Sequence, residues 1–264
     1  MKYKLLSVDL QNDFATEDGR NYKVRPAVKF VKETLIPFLK DRKIQVNEIV
    51  SDYRAPRPGD RGAACEPGTW GYESIMPQEL VSSRWIKCMN SPIWVRKNIG
   101  DASKTPGVPY QDTAGFDRWI LDNFGKPGGV TPILFGLTID CCVLATLQEF
   151  SWRGYKPLVL YEGVDHYDGT ESSKDAILKS PVPNWGDIIT WSGLMELILL
   201  YTPSRQRGDS AKERFGKPLV SQHDPERSTS DTPPIRSGAS EGRALPRGGS
   251  FKTIIGNASL DIMS

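Results

Sequence analysis

Short apolar runs alternate with helical patterns along the first two hundred residues of the chain. Residues 3–8 and 44–52 are typical of buried strands, and between them the apolar side chains of residues 27–42 follow a helical spacing. Pro37 inside this helix predicts a kink or a break. The alternation continues with predicted strands within residues 91–98, 132–135, 156–161 and 187–190, and predicted helices over 113–124, 142–152, 171–178 and 192–201. This order predicts an α/β fold, with a parallel sheet covered by helices on both faces.

Two stretches depart from this alternation. Residues 53–90 are rich in Pro, Gly and Arg, and an irregular loop of that length is usually functional or disordered. Residues 203–249 contain few apolar side chains, so they bury too little surface to offset the entropy lost on ordering. A short apolar segment, residues 251–256, either docks on the body or a neighbouring subunit or stays undocked. We predict one folded domain over residues 1–202 and a disordered tail over 203–264.

Composition narrows the class of protein. The chain has 264 residues, 38% of them hydrophobic, and a net charge of +2, so it can bury a sizeable core and has no basic field that calls for nucleic acid. No apolar stretch approaches the roughly 18 residues that span a bilayer. The four cysteines lack the spacing of a disulfide framework, and no signal peptide is recognised. We therefore expect a soluble cytoplasmic protein with reduced thiols and no membrane partner.

Three chemically active side chains follow predicted strands. Asp9 comes after the first strand, Lys97 after the apolar residues 93–95, and Cys142 at the start of a helix that follows residues 132–135. In an open parallel sheet, ligands bind outside the carboxyl ends of the strands. A thiol in the first turn of a helix faces unpaired N–H groups and the positive end of the helix dipole, and both favour the nucleophilic thiolate. A buried packing role for the cysteine, a turn cap for the aspartate and a solvated charge for the lysine are the alternatives.

Three segments together resemble the isochorismatase-like cysteine hydrolases, the superfamily that includes nicotinamidases, N-carbamoylsarcosine amidohydrolases and isochorismatases. They are VDLQNDF (residues 8–14), VRK (95–97) and GLTIDCCV (136–143), and their joint order and spacing are far more specific than any one of them. Residues 154–164 resemble the helix end and following strand of that family. The similarity covers about residues 1–200 and implies a three-layer α/β/α fold with a six-stranded parallel sheet.

The resemblance also implies the roles of individual residues. The family's Asp–Lys–Cys triad corresponds to Asp9, Lys97 and Cys142; Cys142 is preferred to Cys141 because the family's reactive cysteine directly precedes a valine. The oxyanion hole corresponds to the N–H groups of Cys142 and Thr138, and the peptide that precedes Thr138 is typically cis in relatives. Asp9 would take the thiol proton and later activate water, while Lys97 would keep Asp9 ionised.

The chain departs from the nicotinamidases at their metal site. That site is built from an aspartate and histidines just after the second strand, whereas residues 51–61 retain Asp52 and Asp60 but contain no histidine. Ala64 stands where a nicotinamidase has a metal-binding histidine. Because two isolated carboxylates are a poor site for a transition metal, we predict an enzyme without a metal or other cofactor.

Arginines and aromatic residues are the candidates for substrate binding. Arg54, Arg57 and Arg61 lie in the loop expected to face the site, and a guanidinium suits a substrate carboxylate. Each of them can equally be a solvated loop charge, but we expect at least one to point inward. Phe14 and Trp70 are either apolar walls of the substrate pocket or packing residues.

These observations predict a metal-independent cysteine hydrolase that cleaves an amide, ureido or carbamoyl C–N bond of a small molecule. One alternative is an isochorismatase-type vinyl-ether hydrolase, although such enzymes typically lack the nucleophilic cysteine. Another is a non-catalytic binding or scaffold protein that retains the fold. We expect a small-molecule substrate and a homo-oligomer, with no nucleic-acid partner.

Overall fold

A single parallel sheet organises the chain. The computed structural model describes residues 2–55 and 62–201, and its six-stranded sheet has the order β3-β2-β1-β6-β7-β8, with all neighbours parallel. The six-stranded parallel sheet and the α/β class predicted from the sequence are therefore confirmed. The strands are β1 (Lys2–Val8), β2 (Val46–Ser51), β3 (Val81–Lys87), β4 (Trp94–Arg96), β5 (Pro109–Gln111), β6 (Val130–Leu137), β7 (Leu158–Asp165) and β8 (Asp187–Ile189).

Seven α-helical segments accompany the strands. They are α1 (Asn12–Ala15), α2 (Pro26–Phe30), α3 (Ile36–Arg42), α4 (Thr113–Phe124), α5 (Cys142–Trp152), α6 (Glu171–Lys179) and α7 (Trp191–Tyr201) within the described residues. A π-helical segment, Val31–Leu35, joins α2 to α3, and Pro37 follows directly in the first turn of α3. Proline cannot donate the next helical hydrogen bond, so the irregularity expected at Pro37 takes the form of a wider turn just before it.

The helices cover both faces of the sheet because side chains on a strand alternate between its faces. On one face, Leu6 and Leu134 pack in a cluster with residues of α4, α5 and α6. On the other face, Leu5 and Ile133 pack with residues of α2, α3 and α7. All eight residues of β6 are buried, as expected for a strand in the middle of a three-layer structure.

The third strand of the sheet is not the predicted one. The apolar residues at 93–95 were expected to enter the parallel sheet, but β4 pairs antiparallel with β5 in a separate two-stranded sheet. The strand beside β2 is β3, which comes from the stretch predicted to be irregular. In the order above β3 lies at an edge, and its residues are mostly half-buried or exposed, so it lacks the continuous apolar run of a central strand.

Two expectations remain, one about the C-terminal tail and one about membrane-spanning helices. The predicted disordered tail, residues 203–264, lies outside the described residues, and the domain boundary near residue 202 therefore stays a prediction. Within the described part of the chain, no helix is long and apolar enough to cross a membrane.

Candidate active site

The carboxyl ends of three strands meet where the strand order reverses. From β1 the chain proceeds to β2 and β3 on one side, whereas β6, β7 and β8 lie on the other side. Asp9 follows β1, Lys87 ends β3, and Cys142 begins α5 after β6. Such a reversal opens a crevice at the strand ends, the usual position of a ligand site in this class of sheet.

Asp9 occupies a constrained position at the end of β1. Its φ of 51° lies in the left-handed region, which is uncommon for residues other than glycine, and its N–H donates to the carbonyl of Ile49 at 2.9 Å. The Asp9 side chain is buried, with Ser51 Oγ donating to Oδ1 and Lys87 Nζ donating to Oδ2, each at 2.8 Å. Both carboxylate oxygens are thus held in a fixed orientation beneath the crevice.

Lys87, and not Lys97, is the lysine of this site. The β2–β3 register places Lys87 beside Ser51, and its side chain is fully buried against Asp9. Lys97 follows β4, which belongs to the separate small sheet, and is exposed. The prediction of Lys97 as the triad lysine is therefore wrong in the structure, because the apolar strand that precedes it does not enter the main sheet.

The Lys87 ammonium remains charged despite its burial. Burial lowers the pKa of Lys87, but the negative charges around it, Asp9 foremost, outweigh that effect and leave the pKa well above its ordinary value. The ammonium lies 2.8 Å from Asp9 Oδ2 and 3.3 Å from Cys142 Sγ. One cation therefore stands between the carboxylate and the sulfur and interacts with both.

Cys142 presents its thiol at the start of α5, 6% exposed. Its Sγ also lies 3.5 Å from Tyr53 Oη, and the thiol donates to Asn90 Oδ1 at 3.7 Å. The side-chain hydrogen bond with Cys141 and burial raise the pKa of the Cys142 thiol well above its ordinary value, although Lys87 acts in the opposite direction. The direction is opposite to the one expected from the helix start alone, and a thiol with a raised pKa needs a base to react as a nucleophile.

The backbone around Cys142 supplies hydrogen-bond donors. The Leu137–Thr138 peptide is cis, as the family resemblance implied. The carbonyl of Thr138 accepts from the N–H groups of Cys141 and Val143, at 3.0 and 3.1 Å. Within residues 2–55 and 62–201, no hydrogen-bond acceptor is found for the N–H of Thr138 or of Cys142. These two donors are the pair expected to form an oxyanion hole, and in the described structure both are available for that role.

The guanidinium of Arg54 forms hydrogen bonds within the protein. It donates to Asp52 Oδ2 at 2.9 Å and to the carbonyls of Asn98, Asp101 and Lys104 at 2.6, 2.7 and 3.0 Å. The Arg54 side chain is only 11% exposed in this contact. The prediction that Arg54 binds substrate is therefore not supported by its geometry, because both terminal nitrogens of its guanidinium already donate to an internal carboxylate and to the carbonyls of a turn. Arg57 and Arg61, the other predicted arginines, lie outside the described residues.

The metal site of nicotinamidases has no counterpart in the described residues. Asp52 Oδ2, the carboxylate oxygen at that position, accepts hydrogen bonds from Arg54 and from the N–H of Gly100. Residues 2–55 and 62–201 contain no group of three or more His, Cys, Asp or Glu side chains that could hold a metal ion. The Arg54 guanidinium is bound to Asp52, and the histidines that would complete a metal site are missing from this loop. These residues therefore do not fit a transition metal at this position.

The two predicted apolar walls differ in position. Phe14 packs edge-on against Tyr53, with ring centroids 6.3 Å apart, and so lies beside a residue that contacts the Cys142 sulfur. Trp70 is 45% exposed, and among the described residues no ring contact or hydrogen bond joins its indole to Asp9, Lys87 or Cys142. The structure brings Phe14 to the site but leaves Trp70 as a prediction.

Sequence reasoning missed four residues that contact this centre: Ser51, Tyr53, Lys87 and Asn90. A signal for Lys87 exists, since Trp85 and Ile86 favour a strand and the lysine ends it before a turn-forming Asn90-Ser91-Pro92. Tyr53 lies two positions after the end of β2, close to the strand end that Asp9 occupies after β1. The other two residues carry no distinctive local pattern.

The fold resembles that of several solved structures, although the sequence identities are low. No family model and no curated protein matches the sequence. Among solved structures, an isochorismatase-like hydrolase from Alkaliphilus metalliredigens is 18% identical, with a TM-score of 0.52 over 74% of this chain and 95% of that one. A pyrazinamidase from Pyrococcus horikoshii, in complex with zinc, is 17% identical, with a TM-score of 0.51 over 72% and 100%. An isochorismatase family protein from Desulfovibrio vulgaris subsp. vulgaris is 16% identical, with a TM-score of 0.51 over 75% and 98%. The chain therefore has the fold of the isochorismatase-like hydrolases.

Proposed function

We propose that this protein is a cysteine hydrolase that cleaves an amide, ureido or carbamoyl C–N bond of a small molecule. The observation that carries the proposal is the contact of one buried ammonium, Lys87, with both the Asp9 carboxylate and the Cys142 sulfur. A nucleophile, a base and a cation that holds the base ionised are the parts that acyl transfer to a thiol requires. One of the structural neighbours is named a pyrazinamidase, which is consistent with an amide as the bond cleaved.

Acylation begins with the neutral thiol. Cys142 Sγ attacks the carbonyl carbon while its proton passes to Asp9, and the negative charge moves to the substrate oxygen. The N–H groups of Thr138 and Cys142 donate to this oxyanion, and one such donor is worth about 3–4 kcal/mol in well-measured cases. The C–N bond then breaks, Asp9 returns the proton to the departing nitrogen, and a thioester remains on Cys142.

Deacylation uses the same base in the opposite direction. Asp9, again ionised, takes a proton from water, and the resulting hydroxide attacks the thioester carbonyl. The C–S bond breaks, the acid product leaves, and the sulfur recovers the proton. Lys87 keeps Asp9 in the charged form that both steps need, because protonating Asp9 would leave the ammonium buried without its counter-ion.

We further propose that the reaction needs no metal ion. The support is the ion pair between Arg54 and Asp52, in which the cation of the protein itself occupies the carboxylate that would be a metal ligand. The guanidinium also bonds three carbonyls of residues 98–104 and so ties that turn to the end of β2. Arg54 thus performs the structural part of a metal's role, that of a fixed positive charge at the rim of the site.

The proposal is tested with a panel of small amides, ureido and carbamoyl compounds, read by ammonia release and by intact mass for an acyl adduct. Cys142→Ala is expected to abolish release and the adduct, whereas the matched variant Cys141→Ala retains most activity. Circular dichroism checks that both variants are folded. An inactive Cys141→Ala protein beside an active Cys142→Ala protein, or turnover without any adduct on Cys142, would contradict the assignment.

A further inference from the structure

The residue that follows β2 by two positions, Tyr53, is fixed against the catalytic centre. Its backbone pairs with Ala64 in both directions at 3.2 Å, and its side chain is 3% exposed in a cluster with Ala64 and Cys65. Phe14 packs on the ring. The phenol can therefore turn its O–H bond but cannot move its oxygen far from the site.

The hydrogen bonds of Lys87 show why the sulfur needs a further donor. An ammonium has three N–H bonds, and three oxygens accept from Lys87 Nζ at 2.8 Å: Asp9 Oδ2, Ser51 Oγ and Tyr53 Oη. Cys142 Sγ is a fourth neighbour at 3.3 Å. Three protons are thus shared among four acceptors, and the hydrogen bond to the sulfur is the longest of the four, so a thiolate would gain from a second donor.

Tyr53 has a proton for that purpose. Its Oη accepts from Lys87, and its own hydrogen can be donated to the carbonyl of Met89 at 3.1 Å or to Cys142 Sγ at 3.5 Å. The first arrangement suits the resting thiol, whose proton goes to Asn90 Oδ1. The second suits a thiolate, which is an acceptor only. Rotation about one C–O bond converts one arrangement into the other.

We propose that Tyr53 is a fourth catalytic residue, whose hydroxyl donates to the Cys142 sulfur whenever that sulfur is negatively charged. The proposal rests on Cys142 being the nucleophile of the proposed function. A thiolate occurs twice in the cycle, as the thiol loses its proton and as the thioester C–S bond breaks. At both moments the hydroxyl turns from the Met89 carbonyl to the sulfur, and it turns back when the thiol re-forms.

The test measures the Cys142 thiol directly and needs no substrate. The groups that face Sγ and set its titration are Lys87, Asp9, Tyr53 and the neighbouring Cys141. The rate of alkylation by iodoacetamide is followed against pH, with fragment-resolved mass spectrometry to separate Cys142 from Cys141. Tyr53→Phe keeps the ring and removes only the hydroxyl. The Tyr53→Phe variant is expected to raise the pH midpoint of alkylation by about one unit. At any pH below the midpoint, the thiolate fraction would then be about tenfold smaller than in the native protein.

A matched control is Tyr155→Phe. Tyr155 is also buried, and its hydroxyl donates to the carbonyl of Gly125, far from the site in sequence and contacts. This variant is expected to leave the alkylation midpoint unchanged. An unshifted midpoint in Tyr53→Phe, or an equal shift in both variants, overturns the proposal.

A second variant at position 53 keeps the test decisive if Tyr53→Phe folds less well than the native protein. 4-Aminophenylalanine at position 53 puts an N–H donor in place of the hydroxyl and does not ionise as an acid in this range, so its midpoint is expected to lie below that of Tyr53→Phe; a midpoint equal to that of Tyr53→Phe overturns the proposal. If no amide in the panel were hydrolysed, the hydrolase function would be refuted. The alkylation midpoints could still be measured, because they need no substrate. Turnover with an unshifted Tyr53→Phe midpoint would refute the role of Tyr53 alone.

Discussion

Replacing Lys87 by methionine tests the centre of the site, because it removes the cation and preserves most of the side-chain volume. The Asp9 carboxylate would then be buried without its partner, which lies 2.8 Å away in the native protein. At an effective dielectric constant of about 20, two unit charges at that distance attract by about 6 kcal/mol. Removing the ammonium also removes its own desolvation cost, so the net loss is about 3–5 kcal/mol.

The Lys87→Met substitution is expected to lower both the stability of the protein and its hydrolytic activity. For a domain of about 200 residues, the loss of stability corresponds to a melting temperature roughly 6–20 °C lower. Hydrolysis should be lost, because the cation that contacts both the Asp9 carboxylate and the Cys142 sulfur is absent. Thermal melts and ammonia release on the same preparations measure both effects.

Lys97→Met is the matched control. Lys97 is exposed in the turn after β4, so its replacement should change stability by no more than about 0.5 kcal/mol and leave turnover unchanged. The double variant Lys87→Met with Asp9→Asn removes both charges and should recover much of the stability without any activity. An active Lys87→Met protein, or an inactive but folded Lys97→Met protein, would refute the assignment of the lysine.

Three further predictions concern the metal, the Cys142 thiol and the C-terminal tail. Activity should survive exhaustive chelation, since Arg54 occupies the Asp52 carboxylate; a loss of rate that added metal restores, or a stoichiometric bound metal, would contradict this. Because the pKa of the Cys142 thiol is raised in the folded protein, its contribution to stability is complete below the ordinary thiol pKa of about 8.5 and is lost as pH rises above it. Urea denaturation should therefore show a less steep alkaline decline for Cys142→Ala than for the native protein, and parallel curves would argue against a buried neutral thiol. Removal of residues 204–264 should leave turnover within a few-fold and change the melting temperature little; a folded truncated protein without activity would show that the tail helps to build the site.

The ends of central strands were predictable from the sequence. Asp9 and Cys142 follow β1 and β6, which are buried along most of their length and read as apolar runs that stop at a polar residue. Burial on both faces forces this pattern, and it is visible without knowledge of the partners of a strand. The positions of Asp9 and Cys142 at the carboxyl ends of these strands could therefore be predicted, whereas their catalytic roles stay a proposal.

The lysine was misplaced because two strands have misleading patterns. β3 lies at an edge of the sheet order and carries Ser82, Ser83 and Arg84 on surfaces that are not fully buried, so it resembles a loop in composition. β4 is apolar and does form a strand, but its partner is β5. Strand propensity does not specify the sheet that a strand joins, and this choice depends on contacts distant in sequence.

The fate of the arginines depended on side-chain partners that the sequence does not display. Arg54 was expected to face a substrate carboxylate, and it does bind a carboxylate, that of Asp52 two positions earlier. Its terminal nitrogens also donate to three carbonyls from residues 98–104, which are more than forty positions away in the chain. The sequence indicates that Arg54 would bind a carboxylate, but only the folded structure shows that this carboxylate is Asp52.

The reversal of strand order divides the site between the two halves of the polypeptide. Asp9 and Lys87 belong to the part of the sheet formed by β1, β2 and β3, which ends at residue 87, whereas the proposed nucleophile, Cys142, begins α5 after β6. The exposed segment around residues 102–105 joins the halves, and a cut there would separate the two sets of catalytic groups. The protein is thus suited to fragment complementation, in which activity would report the docking of β6 against β1.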